Sequence, residues 1–282
     1  MKNLIKKIIN FLIFKKVNFL YMFNLGRYLI DVIQEKINLK KFHITYKLNN
    51  YEFFIPNRLN YWRATTLLTK EPETISWIEN FDDNSIFWDI GANIGLYTCF
   101  AAKEKKSNVV AFEPSPFNLE LLSKNVFFNN LSDKITILPI SLNDKSKISQ
   151  FNMTSIESGG AMSTFDKKYG DDGKNLNSTF NYKSLGVSGN DLIKKFNFTK
   201  PNYIKIDIDG IEHIVLEGMG EILDETKSIL IEVNIKFKEK KAFIKKFLEN
   251  KNFILKEQKQ SDLIKNSKTH SNVFNQIWIK SI

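Results

Sequence analysis

The chain holds a single cysteine, Cys99, and only three histidines scattered over 282 residues. One thiol cannot build an intramolecular disulfide framework. One Cys and dispersed His supply neither a C-x-x-C nor an H-x-x-x-H cluster, so no structural zinc is expected and no metal is predicted. Cys99, set among Leu96, Phe100 and Ala101, reads as a buried thiol acting as a small hydrophobe. Long apolar runs are also missing. The N-terminal stretch KNLIKKIINFLIFKKVNFLYMFNLGRYLIDVIQ is interrupted at Lys15-Lys16 and falls short of the roughly 18 to 20 uninterrupted apolar residues that a bilayer span requires. It carries no small-residue cleavage site behind an apolar run, so no secretory signal is predicted. A cytoplasmic protein is the expectation.

Acidic residues are scarce at one end only. Residues 1–47 contain ten Lys or Arg against Asp31 and Glu35, which places +8 of the formal +10 net charge in that arm. The other 235 residues are close to neutral, which argues against a nucleic-acid groove across the core. Two readings of the arm stay open. Its helices lie on an anionic membrane surface as a peripheral contact, or they pack against the core with a solvated lysine face. Hydrophobic and charged fractions of 43% and 26% are those of an ordinary folded protein, so wholesale disorder is excluded.

What is present begins at Ser85. The run Ser85-Ile86-Phe87-Trp88-Asp89-Ile90-Gly91-Ala92-Asn93-Ile94-Gly95-Leu96-Tyr97 reads as a buried strand, a glycine turn and the start of a helix. Asp89 closes the strand, at the end that faces the ligand crevice of an open parallel sheet. Gly91 and Gly95 let the main chain turn sharply and approach a ligand closely. A dinucleotide fingerprint needs a further glycine two residues after Gly91, and that position is Asn93, so a pyrophosphate is not the obvious guest. The next strand, Asn108 to Phe112, ends in Glu113-Pro114, and Glu113 is placed to accept hydrogen bonds from two ribose hydroxyls.

Strands are predicted at Ile86–Asp89, Val109–Phe112, Ile135–Ile140, Tyr203–Ile208 and Ile229–Val233, alternating with helices near Tyr97–Lys103, Pro116–Asn129, Glu212–Leu216 and Lys238–Asn250. Runs at Phe253–Glu257 and Asn272–Ile279 follow with no helix between them, as an antiparallel pair at the sheet edge. Ahead of the sheet, Phe42–Leu48 and Tyr51–Ile55 predict a β-hairpin turning at Asn49-Asn50, with His43 a structural residue. Leu59 to Asn80 is helical. A boundary is drawn near residue 80, giving an arm and hairpin over 1–80 and a catalytic domain over 81–282. Met153 to Ser188, rich in Gly, Ser, Asn and Asp, predicts an irregular insertion, either disordered or a lid on the substrate side.

DIGANIGLYT, VVAFEPSPFNLELLSKNVFFNN and YIKIDIDGIEHIVLEGMGEIL, in that order, resemble the FkbM-type family of S-adenosylmethionine-dependent methyltransferases over roughly Ile86 to Asn234. The resemblance implies an α/β fold, a Rossmann-like class I methyltransferase sheet, mostly parallel with an antiparallel C-terminal edge strand. It implies S-adenosylmethionine as cofactor, held at Asp89, Gly91, Ala92, Asn93, Gly95, Glu113, Pro114 and Ser141. It further implies methylation, on oxygen, of a small molecule or of a sugar in a glycan precursor.

Methyl transfer from a sulfonium is an in-line displacement that asks chiefly for alignment and exclusion of water, with a base where the acceptor is an alcohol. Asp207, at the carboxyl tip of its strand, is the first candidate for that base, and His213 is the second. Asp209 is placed to cap the following helix. Glu232, charged inside an apolar strand, orients the acceptor or pairs with Lys205. Two departures from the family pattern bear on the acceptor side. Gly189 and Asn190 stand where family members commonly have Leu-Asp, and Asp209 stands in Asp207-Ile208-Asp209-Gly210 where a Glu is frequent. The competing readings are a nicotinamide-dependent oxidoreductase, which lacks a Tyr-x-x-x-Lys helix here, and a non-catalytic accessory protein at a membrane surface.

Overall fold

The computed structural model describes residues 2–267 and 269–281. Two helices, α1 (Lys2–Tyr21) and α2 (Asn24–Asn38), form the arm and lead into a hairpin of β1 (Lys41–Tyr46) and β2 (Asn49–Phe54). The hairpin turns at Lys47-Leu48, with Lys47 at φ +51°, and Asn49 and Asn50 already pair within β2. The turn thus lies two residues earlier than Asn49-Asn50, because ladder pairing of Tyr46 with Asn49 leaves only two residues to close it. Short helices α3 (Arg58–Thr65), α4 (Leu67–Lys70) and α5 (Pro72–Glu79) connect to the sheet.

The chain then alternates through β3 (Ile86–Ile90), α6 (Leu96–Glu104), β4 (Asn108–Phe112), α7 (Pro116–Phe128) and β5 (Ile135–Leu138). A second layer follows: β6 (Ser141–Asn143), β7 (Lys147–Met153), β8 (Ser163–Phe165) and β9 (Phe180–Ser188). Alternation resumes with α8 (Gly189–Phe196), β10 (Tyr203–Ile206), α9 (Glu212–Glu217), β11 (Ser228–Asn234), α10 (Lys238–Asn250), β12 (Phe253–Lys259), α11 (Asp262–Lys265) and β13 (Val273–Lys280).

The central sheet has the order β12-β13-β11-β10-β3-β4-β5. From β11 to β5 it is parallel, and β13 runs antiparallel between β11 and the edge strand β12. Parallel central strands must be covered on both faces, and this one is. One apolar layer joins Phe87, Val109 and Ala111 to Cys99 and Phe100 of α6; the other joins Trp88, Ile204 and Ile206 to Val215, Leu216 and Ile244. Cys99 is a buried free thiol in the first layer. That layer also contains Tyr51, Phe53, Leu67 and Ile78, so the hairpin and α3 to α5 share a core with the sheet.

Met153 to Ser188 is not irregular throughout. Its two ends belong to a four-stranded sheet ordered β6-β9-β7-β8, in which β7 pairs antiparallel with both β8 and β9. Polar composition concealed strands because one face of this small sheet is open to solvent, as the alternation of exposed and half-buried residues along β7 and β9 shows. The predicted strand Tyr203–Ile208 stops at Ile206, and Ile135–Ile140 stops at Leu138.

The arm does not pack against the core. Its two helices meet each other, while Phe11, Phe14, Leu25 and Tyr28 stay exposed. Among the described residues no helix is long and apolar enough to cross a membrane.

Candidate active site

A cavity of about 360 Å³ opens at the carboxyl ends of β3, β4, β10 and β11. Its wall against the sheet is built by the turn after β3. Asp89 is buried within that strand, where its Oδ2 accepts the Thr98 hydroxyl at 2.5 Å. Past Ile90, the amides of Gly91 and Ala92 both donate to the carbonyl of Phe112 at 3.0 Å, tying the turn to the tip of β4. Gly91 has φ +86°, and a Cβ there would lie 2.0 Å from the carbonyl oxygen of Asp207. The glycine is thus required first by backbone packing between the β3 turn and the end of β10. Gly95, at φ +79°, caps α6, and a Cβ there would meet Leu122 Cδ1 at 2.3 Å. It lines neither the main cavity nor the recess beside it and serves the packing of α6 on α7.

Glu113 is the centre of this wall. Its carboxylate accepts the Asn93 amide on Oε2 and the Ser115 amide on Oε1, both at 2.8 Å. Burial drives its pKa up to about 7 against the pull of these donors. Asn93 Oδ1, Ser115 Oγ and Ser141 Oγ are buried beside it without a partner among the described residues. Buried polar atoms without a partner are uncommon, and here all three belong to residues that line one cavity, with Pro114, Ile140 and Leu142 supplying apolar surface.

The roof is the loop after β7. Asn57 and Asn60 donate to the carbonyl of Ser158, and Arg63 Nε donates to that of Gly159 at 2.9 Å. Asn93 and Asn118 both donate to the carbonyl of Gly160, and the Met162 amide donates to Asp209 Oδ2 at 2.6 Å. The loop is an ordered cover held from α3, α7 and the turns after β3 and β10. Asp209, at φ +55°, is occupied by this loop and does not cap α9, whose N-cap is Ile211.

The far end is carboxylate-rich. Oxygens of Glu71, Asp207 and Glu232 lie within 4.8 Å of one another. Asp207 has just left β10, and its Oδ2 accepts Lys205 Nζ at 2.6 Å. Burial alone would raise this carboxyl, but Lys205, Lys70 and Arg63 hold it below the ordinary range. Glu71 pairs with Lys70 and is likewise held low, burial notwithstanding. Glu232 differs: it lines the cavity, has no hydrogen-bond partner or ion pair among the described residues, and is raised well above its ordinary value by burial and by Asp207 and Glu71. Of the two roles left open for it, the pairing with Lys205 does not form, because Lys205 is taken by Asp207. Asp209 is pushed up to about 7 by burial and by Asp207.

A recess of about 50 Å³ shares Arg63, Lys70, Gly91, Asn93 and Asp207 with this cavity and is lined also by Asp89, Ala92, Tyr97 and Lys205. Of the residues singled out in the sequence, Gly91, Asn93, Glu113, Pro114, Ser141 and Asp207 come together around the main cavity, and Asp89 and Ala92 reach the recess. His213 does not. It sits on α9 between the rings of Phe237 and Phe243, its Nδ1 buried without a partner among the described residues, and burial lowers its pKa. Proximity in sequence to Asp207 misplaced it, since the turn at Gly210 directs α9 away from the cavity.

Sequence reasoning missed Arg63, Lys70 and Glu71, which arrive from α3 to α5, and Asn118 from α7. The adjacent charges Lys70-Glu71 at the junction of two helices were the only signal for the former.

The family described as "Methyltransferase FkbM domain" matches residues 89–255, more than half of the chain. A hexuronic acid methyltransferase, AglP, of Haloferax volcanii is 28% identical over 177 residues, covering 61% of this chain and 66% of that protein. The chain thus spans just under two thirds of this relative's length. A methyltransferase FkbM crystal structure from Methylobacillus flagellatus KT aligns with TM-score 0.49 at 16% identity, covering 71% of this chain and 44% of that one.

Proposed function

The chain belongs to the FkbM methyltransferase family, and from that premise we propose that it is an S-adenosylmethionine-dependent methyltransferase acting on an oxygen of a sugar or related small molecule. The observation that carries the cofactor assignment is Glu113. Its carboxylate is fixed by two backbone amides at the tip of β4, in a cavity with three buried polar atoms that have no partner among the described residues. That donor and acceptor set fits a ribose with an uncharged base and not a pyrophosphate, for which the wall offers no glycine at position 93. In this reading Glu113 takes the ribose hydroxyls, Ser141 and the apolar residues Pro114, Ile140 and Leu142 take the base, and Gly91, Asn93 and the recess by Asp89 and Ala92 take the amino-acid end. The bound cofactor supplies an electrophilic methyl group.

The chain's own residues then have three tasks. The loop from Ser158 to Met162 covers the cavity and keeps water from competing for the methyl group. Asp207, kept ionised by Lys205, accepts a hydrogen bond that orients the acceptor, and so acts as a positioning group and not as the base first expected of it. Glu232, unpaired and with its pKa raised, takes the acceptor's proton at its carboxylate oxygen.

The relative described as a hexuronic acid methyltransferase supports this acceptor class. Arg63 and Lys70 line the cavity and offer positive charge to an acidic sugar. Incubation with methyl-labelled S-adenosylmethionine and glycosides of glucuronic acid or glucose tests this. Label on the uronic acid is expected, and its lability in alkali tells a carboxyl ester from an ether. Cofactor binding without transfer to any sugar would refute the acceptor class. Peripheral contact of the basic arm with an anionic membrane surface belongs to the same reading and is supported by the charge of residues 1–47.

A further inference from the structure

The arm leaves an exceptional apolar surface in the open. Phe14 is 64% exposed, Leu25 70% and Met22 74%, and Ile8, Ile9, Phe11, Leu12, Phe19, Tyr28, Leu29 and Ile33 are exposed as well. Monomeric soluble proteins rarely tolerate a contiguous patch of this kind. The pattern along α1 is specific. Ile8-Ile9-Asn10-Phe11-Leu12-Ile13-Phe14 is apolar around nearly the whole circumference of the helix, since seven residues make two turns, and it is bracketed by Lys6-Lys7 and Lys15-Lys16. On α2 the side chains of Leu25, Tyr28, Leu29 and Ile33 share one face, with Arg27, Asp31 and Gln34 on the far side. Gly26, the only buried residue of α2, lets the two helices close up. A Cβ there would lie 2.0 Å from the Leu20 carbonyl oxygen.

We propose that α1 and α2 form an interfacial lipid-binding hairpin that seats the enzyme on an anionic bilayer, with the apolar residues at the acyl boundary and the flanking lysines reaching back to the phosphates. The proposal rests on the membrane contact already inferred and not on methyl transfer. Charge selects lipid over a protein surface as the occupant. Seven basic residues of α1 and α2 (Lys2, Lys6, Lys7, Lys15, Lys16, Arg27 and Lys36), against Asp31 and Glu35, flank an apolar band whose only polar residue is Asn10. Lysines on flexible stems at both ends of an apolar helix suit a phosphate plane, which accepts them at any rotation about the helix axis. The helix is about 30 Å long, yet its apolar centre is only seven residues, so it lies in the interface and does not span. The hairpin has few contacts with the catalytic body beyond the chain itself, which leaves its lipid-facing residues free to be changed without touching the cavity.

The test is co-sedimentation of the full chain with vesicles of phosphatidylcholine alone or mixed with phosphatidylglycerol, at low and at physiological salt. The intact chain should pellet with the anionic vesicles, with partition reduced but not abolished at the higher salt because part of the attraction is apolar. Phe11→Ser with Phe14→Ser should lower partition at least about tenfold, each lost ring being worth more than that factor when fully buried. Replacing Lys6, Lys7, Lys15 and Lys16 by Gln should remove the preference for anionic vesicles, with a loss of about a hundredfold or more on them. Both variants should bind S-adenosylhomocysteine as the intact chain does, which separates failure of this proposal from failure of the cofactor assignment. The proposal is overturned if the intact chain stays in solution with every vesicle, if the phenylalanine variant partitions unchanged, or if sedimentation shows a dimer that the same variant splits while vesicles bind nothing.

Discussion

Replacing Glu113 by Gln is the most informative single change. The carboxylate accepts an amide on each oxygen, from Asn93 and Ser115, at 2.8 Å. A glutamine offers one acceptor and turns its NH₂ toward the second amide, leaving a buried N–H without a partner at a cost of about 1–3 kcal/mol. Relief of the buried charge offsets part of this, so a drop in stability of roughly 1 kcal/mol is expected. Affinity for S-adenosylhomocysteine should fall further, by about 1–3 kcal/mol, because charge-assisted acceptance of ribose hydroxyls is lost. Wild-type affinity should rise with pH toward and through about 7, where Glu113 ionises, and the variant should lose that dependence. The sign for the free protein is the opposite. Between the ordinary value of 4.5 and about 7 the folded chain holds a proton that the unfolded chain has released, so this group's contribution to stability declines as pH rises across that window. Calorimetric titration at several pH values, with the parent ligand and its 2′-deoxy analogue, reads both effects. A variant that discriminates against the deoxy analogue as strongly as the wild type does would refute the ribose assignment.

Gly91→Ala combines a positive φ with a Cβ 2.0 Å from the Asp207 carbonyl, so a stability loss of about 2–5 kcal/mol is expected in chemical denaturation. A fully stable variant with weakened ligand binding would show instead that Gly91 serves only close approach of the ligand. Lys240 and Glu212 form a pair at 2.8 Å with side chains only 0% and 1% exposed, linking α10 to the turn at Gly210. Lys240→Met strands a buried carboxylate and should cost about 3–5 kcal/mol in the same measurement, and a loss below about 1 kcal/mol would mean that the pair is not closed. With an acceptor from the labelling assay in hand, Glu232→Gln should lower turnover about a hundredfold or more with little change in cofactor affinity. It should also remove the rise of rate with pH that begins above the ordinary carboxylate range, whereas retention of that rise would pass the proton to Asp209.

The wall at the carboxyl ends of β3 and β4 was legible because it is local. Strand, turn and helix from Ile86 to Tyr97 are contiguous, and an apolar run broken by Gly91 and Gly95 has few other ways to fold. Glu113 was legible for the same reason, one strand further on. The carboxylate-rich end was not, since Glu71, Lys70 and Arg63 meet Asp207 and Glu232 only through tertiary packing, and short helices with little periodicity gave no sign of facing a cavity. Met153 to Ser188 was misread because strands exposed on one face and rich in Asn, Ser and Lys do not alternate visibly. Asp209 followed cap statistics in the sequence, yet its positive φ and the Met162 amide claim it for the roof loop. In the arm, the spacing of lysines was plain, but only the packing showed that the apolar residues between them meet no core.

Whether the cavity beside Glu113 takes S-adenosylmethionine is read most directly by calorimetric titration of the full chain with S-adenosylhomocysteine and, separately, with NAD. Saturable binding of S-adenosylhomocysteine at a single site, weakened in Glu113→Gln, with no heat from NAD is the predicted result. Saturable binding of NAD with none of S-adenosylhomocysteine would contradict it.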